Sequence, residues 1–229
     1  MRHLSVFVLL GTLGATATAP AADKLLQETF VRMDAAAASF KGLTADVRKV
    51  AYTAVIQEGS TDIGTMAVKR SKPHDLRALV NIKQPDPKQV GFSDHIALIY
   101  YPKTKTVQVA QLDKKSSTLV EQLLLLGFGS TSGEIESAYT VNLGGPDTVN
   151  GQKTVRIELT PKSPEKLAGF TRIDLWISDS SGLAVQQKLF QAGGDYTMAT
   201  YSNMKLEANL PDSAVKLELP KDVHREILH

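Results

Sequence analysis

The sequence predicts a mainly β protein with helices, an α+β chain built on one antiparallel sheet of about ten strands. Three observations predict it. From Leu43 onward, apolar residues alternate with period two in short runs, separated by turns rich in Gly, Pro, Asn and Asp. Two stretches, Asp23–Lys41 and Ser117–Phe128, break that period with helical spacing. Cysteine is absent, so an apolar core rather than disulfides must hold the chain together.

The N-terminus reads as a secretory signal peptide rather than a buried or interfacial helix. Arg2 and His3 form a basic region, Val6–Leu13 a short apolar core, and Ala-x-Ala sites end at Ala17, Ala19 and Ala21. Cleavage after Ala21 is expected, because Pro20 is a poor first residue after Ala19. The apolar run is far shorter than the roughly 20 residues a spanning helix needs. Residues 1–21 are therefore expected to be removed, and 22–229 to form one domain that is exported and soluble. The missing cysteine also excludes thiolate sites and a lipidated N-terminal cysteine.

Asp23–Lys41 places Leu25, Leu26, Phe30, Met33, Ala37 and Phe40 at helical spacing, with Gly42 as a stop. Strands are then expected at Leu43–Gln57, Thr61–Arg70, Asp75–Lys83, Gln89–Phe92, His95–Tyr101 and Thr106–Leu112. In the second and third of these, Met66, Val68 and Arg70 share one face, as do Leu76, Ala78 and Val80. A basic turn with Lys69, Lys72, His74 and Arg77 joins the two.

Ser117–Phe128 contains Leu123–Leu126 in unbroken series and is expected to be capped by Ser116 or Ser117. A helix this apolar must be buried or meet an apolar partner. Thr131–Ala138 reads as a second short helix. Tyr139–Leu143 returns to strand, Gly144-Gly145-Pro146 turns, and Asn150-Gly151 is the strongest hairpin signal. Lys153–Thr160, Thr171–Ser178, Leu183–Gln191 and Tyr196–Leu206 follow as strands, with Ile173, Leu175 and Ile177 inward. Val215–Leu219 is the last expected segment.

The net charge of +2 gives no sign of a nucleic-acid surface. His74, His95, His224 and His229 fall in expected turns or the tail, without metal-ligand spacing. Gly127–Gly133 has the spacing G-x-G-x-x-x-G after a helix, and lacks the Gly-Lys-Ser/Thr of a phosphate loop. No catalytic residue, metal site or cofactor is assigned. The chain is expected not to be an enzyme, a hydrolase being the least favoured class. What remains is apolar surface, which a curved sheet either fills with its own side chains or leaves for a ligand.

Four stretches carry a resemblance to the periplasmic outer-membrane lipoprotein carrier (LolA) family. They are Met33–Val47, the strand–turn–strand Gly64–Leu79 with Val68-Lys69-Arg70, the run Ser93–Pro102 (SDHIALIYYP), and Leu159–Lys162 followed by the strands to Tyr201 and the closing VKLELPKDVHREI. His95 stands where the family often has glycine. The resemblance implies an incomplete, strongly curved antiparallel β-barrel closed by a helical lid over an apolar cavity. It implies that an arginine matching Arg70 holds the lid by hydrogen bonds to helix backbone carbonyls.

On that reading Met66, Val68, Arg70, Val80, Leu98, Tyr100, Leu124, Leu125, Phe128, Ile173, Leu175 and Met198 are the expected cavity and lid residues. The implied cargo is lipoprotein acyl chains or another lipid, carried through the periplasm by a monomer. The implied partners are an inner-membrane lipoprotein-releasing transporter and an outer-membrane acceptor. A lipid-sensing periplasmic regulator of the same fold is the alternative.

Overall fold

The computed structural model describes residues 19–72, 75–163 and 169–228. Most of the expected signal peptide lies outside the described residues. So do Pro73 and His74 of the basic turn, and residues 164–168 of the Pro161–Gly169 loop.

Helix α1 (Ala19–Ser39) leads into strands β1 (Gly42–Thr53), β2 (Glu58–Arg70), β3 (Leu76–Gln84), β4 (Lys88–Ser93), β5 (Ile96–Tyr101) and β6 (Thr106–Gln111). Helices α2 (Lys114–Leu125) and α3 (Ser132–Ala138) follow. The chain then forms β7 (Tyr139–Val149), β8 (Gln152–Pro161), β9 (Phe170–Ser178), β10 (Ala184–Gln191) and β11 (Tyr196–Leu206), and ends in β12 (His224–Leu228).

Among the described residues all twelve strands form one sheet, in the order β12-β6-β5-β4-β3-β2-β1-β11-β10-β9-β8-β7. The sheet is strongly curled and not closed into a barrel. Neighbours are antiparallel except β12, which pairs parallel with β6.

Four local expectations are corrected. Strand β7 runs through Gly144-Gly145-Pro146 and absorbs them in a register shift between Leu143 and Gly145, so they are a bulge and not a turn. Helix α2 starts earlier than expected, and its cap is Asp113, whose carboxylate accepts from the Ser116 backbone N–H at 2.7 Å. Val215–Leu219 is not a strand; a 3-10 turn at Asp212–Val215 passes into extended chain. Strand β12 was not expected. Asn150 and Gly151 both have positive φ, 49° and 78°, as a tight hairpin turn requires.

Alternation gives the sheet two distinct faces. The inner face and the helices share one cluster. Val68, Leu76, Ala78, Ile157, Leu159, Ile173, Leu175 and Ile177 come from the strands; Phe30, Met33, Phe40, Leu126, Phe128 and Ile135 come from α1, α3 and the segments flanking the helices. Burial of this order, about 25 cal/mol per Å² of apolar area, is what orders the curl. On the outer face, the chain after β11 crosses back as a strap. Leu210 and Val215 pack on Ala67, while Leu217, Leu219 and Val223 cover Tyr100, Val107 and Val109. Asp212 fastens the strap, meeting Lys69 at 2.5 Å and Arg77 at 3.3 Å.

Candidate functional site: the latched mouth of the curled sheet

Arg70 ends β2 on the inner face, because its parity is that of Met66 and Val68. Those two pair directly with Val80 and Ala78, and Arg70 pairs with Leu76. The guanidinium donates to the Gly129 carbonyl at 3.0 Å, to Ala37 at 3.2 Å and to Phe40 at 3.4 Å. It also lies 5.3 Å from the Phe40 ring centroid. One side chain thus ties the end of α1 to the segment leaving α2. A guanidinium suits the task, having five donors in a planar fork and a charge that does not titrate.

The segment leaving α2 is held from below as well. Gln187 on β10 is buried, donates to the Leu126 carbonyl, and accepts from the Tyr201 hydroxyl at 3.0 Å. Burial pushes the Tyr201 phenol well above its ordinary pKa, so it stays a donor. The Ala184 N–H donates to the Gly127 carbonyl at 2.7 Å. Gly127 has φ +80°, and a Cβ there would stand 2.5 Å from the Ala184 Cβ, so only glycine fits. Asp34 of α1 accepts from the Ser132 N–H and hydroxyl at 2.6 and 2.7 Å, joining α1 to α3. Thr131 and Glu134 close a capping box on α3.

Between the end of α1, helices α2 and α3, and the Arg70 turn lies a cavity of about 660 Å³. Phe40, Leu125, Leu126, Ile135 and Tyr139 give it an apolar floor, and Arg70, Lys41, Lys72, Glu121 and Glu134 a charged rim. Its volume is that of an ordinary small-molecule site. Deeper in, the curl is filled: Val68, Ile173 and Leu175 have no exposed surface.

Of the residues expected at the site, Arg70 and Leu125 line this cavity. Met66, Val68, Val80, Leu124, Phe128, Ile173 and Leu175 belong to the inner cluster and pack on one another. Leu98, Tyr100 and Met198 are corrections. Leu98 and Tyr100 face outward and are covered by the C-terminal strap. Met198 is paired with Val50 and Lys188, opposite in parity to the inner Ala199 and Tyr201. The reason is visible in β5, IALIYY, which is apolar on both faces, so that alternation cannot say which one is inside. Gln187 was missed because one glutamine in a strand carries no signal until its depth is known. Asp34 was missed because its partner is 98 residues away.

No family model and no curated protein sequence matches this chain. Solved structures do. An uncharacterized conserved protein from Thermus thermophilus aligns with TM-score 0.52 at 12% identity, over 90% of this chain and 99% of that one. MucB aligns with TM-score 0.50 at 14% identity over 88% of this chain, which spans only 64% of MucB. A LolA superfamily protein from Nitrosomonas europaea aligns at TM-score 0.40 and 13% identity, over 83% and 97%. What such identities show is fold alone: a curled, open antiparallel sheet with helices across its mouth, shared with the Thermus thermophilus protein and with MucB.

Proposed function

We propose that this protein is an exported, periplasmic carrier that takes lipoprotein acyl chains, or another lipid, into the mouth beneath its helices. The observation that carries the reading is Arg70. A cation at the edge of an apolar interior spends its donors on three backbone carbonyls, two at the end of α1 and one in the segment leaving α2. Such bonds are worth roughly 0.5–1.5 kcal/mol net each, so they can hold the lid and still be released. Acyl burial at about 0.8 kcal/mol per CH₂ would offset the loss of the latch and the displacement of Phe40 and Phe128. The cavity already open at the mouth, with an apolar floor and a charged rim, is a place where a chain could start to enter.

On this reading Met66, Val68, Val80, Leu124, Leu125, Phe128, Ile173 and Leu175 become the lining once the lid lifts. Donor and acceptor would be a lipoprotein-releasing transporter in the inner membrane and a receptor in the outer membrane. The test is mass spectrometry of lipid released from the purified protein, together with uptake of lipoprotein from inner-membrane vesicles. Native lipid in the protein and uptake by the delipidated form are expected. An empty protein that also fails to take up lipoprotein would sink the proposal. Retention of a membrane-bound regulator, without any transport component, would assign the regulatory alternative instead.

A further inference from the structure

The most exposed large apolar side chain among the described residues, Val55, lies far along the sheet from the latch. Val55 is 88% exposed and Ile56 61%, adjacent at the tip of the β1–β2 hairpin. Large aliphatic residues side by side in water at a hairpin tip are costly unless something covers them. The tip is also held in place. The Asp195 carboxylate accepts from the Ala54 N–H at 2.8 Å, and the Gln57 N–H closes the turn onto the Ala54 carbonyl at 3.2 Å. Ile56 and Val55 are therefore presented on a fixed turn.

Behind the tip the outer face changes character in a defined sequence. The Tyr52 and Tyr196 rings stack with centroids 5.0 Å apart. Phe190 lies beside Tyr196 at 6.3 Å. Lys188 places its ammonium 3.8 Å from the Tyr196 centroid and 4.7 Å from that of Phe190. Arg172 lies 4.1 Å over Phe190. Register puts Val50 and Met198 in the same patch, and Arg48 on the same face of β1. Arg172 is paired with Asp174 at 2.9 Å. Arg48 and Lys188 have no ion pair among the described residues, although Asp174 stands opposite Lys188 in the register and attracts it at longer range, so positive charge is in excess on this face.

We propose that this hairpin edge docks the protein on an anionic phospholipid surface. Val55 and Ile56 enter the acyl boundary, Tyr52 and Tyr196 lie at headgroup depth, and Arg48 and Lys188 meet the lipid phosphates. The layering supports this occupant over another protein. An aliphatic tip, then a ring belt, then cations on long apolar stems is the order of polarity across a membrane interface. Each cation near an anionic bilayer adds attraction that salt screens. The proposal is independent of the carrier reading, because it uses no residue of the mouth or the latch.

The test is co-flotation of the full chain with vesicles of phosphatidylcholine alone and with about 30% phosphatidylglycerol. Binding to the anionic vesicles is expected, weakening as salt rises. Val55→Asp with Ile56→Asp should reduce it about tenfold or more, with an unchanged unfolding midpoint, because neither side chain is packed. Arg48→Gln should lower binding less and flatten its salt dependence. As a check on insertion, Val55→Trp should gain a blue-shifted emission with vesicles that the single native tryptophan, Trp176, does not show. Vesicle binding that survives the double substitution overturns the proposal, as does absence of binding to anionic vesicles. Self-association dissolved by the double substitution, without vesicle binding, would instead make the tip a contact between copies. Lipid uptake at the mouth is read separately, so the two proposals can fail one at a time.

Discussion

Helices α1 and α2 cover the same cluster, yet they are held in different ways. Helix α1 drives Phe30, Met33, Ala36 and Ala37 into the core and is pinned at both flanks, by Arg32 to Asp179 at 3.5 Å and by Asp34 to Ser132. Helix α2 carries the leucine run Leu123–Leu125, but Ser117 is its one buried residue, and Leu119, Leu123, Leu124 and Leu125 are only partly covered. Its firm attachments lie past its end, at Leu126, Gly127 and Gly129. At its start, beyond the Asp113 cap, the Ser117 hydroxyl meets the His95 ring at 2.5 Å. The difference teaches that a run of leucines does not by itself measure commitment to the core. The half-covered leucines are the surface a lid can give up at least cost, while α1 is the fixed wall.

That contrast can be broken most directly by cavity substitutions. Met33→Ala should lose about 2–5 kcal/mol in urea unfolding, and Leu124→Ala only about 1 kcal/mol, since little of its surface is sealed. Equal losses would remove the distinction between wall and lid. Next in size, Gln187→Leu strands the Tyr201 hydroxyl and the Leu126 carbonyl and should cost about 1–3 kcal/mol. It should also raise amide exchange in residues 126–129 ahead of α1. Uniform exchange through both helices would show one cooperative unit.

Arg70→Leu removes the tie between the two segments. It should speed release of a bound apolar dye severalfold, with a stability loss smaller than that of Met33→Ala. Unchanged release beside a large loss of stability would give Arg70 a structural role only. The smallest effect concerns Asp62, away from both helices. Burial raises its carboxyl pKa, but Lys49 at 3.1 Å and Lys88 at 3.2 Å more than offset this and hold it below the ordinary value. A depressed carboxyl stabilises the fold above the unfolded pKa of about 3.9 and stops doing so as pH falls through its folded value. Asp62→Asn should therefore cost under about 1 kcal/mol at neutral pH. The gap to the parent should close in acid titrations of unfolding.

Much of the sheet was legible because turn chemistry and period agree along most of the chain. Strand β11 was read at its observed bounds, Tyr196–Leu206, and Arg70 was placed on the inner face by parity alone. Two kinds of feature were not legible. Strand β12, HREIL, alternates no more clearly than a tail, and exists because β6 offers an edge to pair with. Leu98, Tyr100 and Met198 were put inside because an apolar side chain looks the same whether the core or a returning strap covers it. Only the placement of Leu217, Leu219 and Val223 settles the first two. The hold on Leu126 depends on Gln187, 61 residues away, and distance along the chain hides such pairs from local pattern.

Strand β1 lies between β2 and β11. Its second neighbour is thus about 150 residues downstream, as in the pairing of Val47 with Tyr201. As the chain emerges from its N-terminus, β1 can pair with β2 at once but must wait with a bare edge until β11 arrives. An unpaired edge invites pairing with other chains. Assembly of this fold is therefore a race between late arrival of β11 and misassociation, in which shielding of residues 42–53 favours the native pairing.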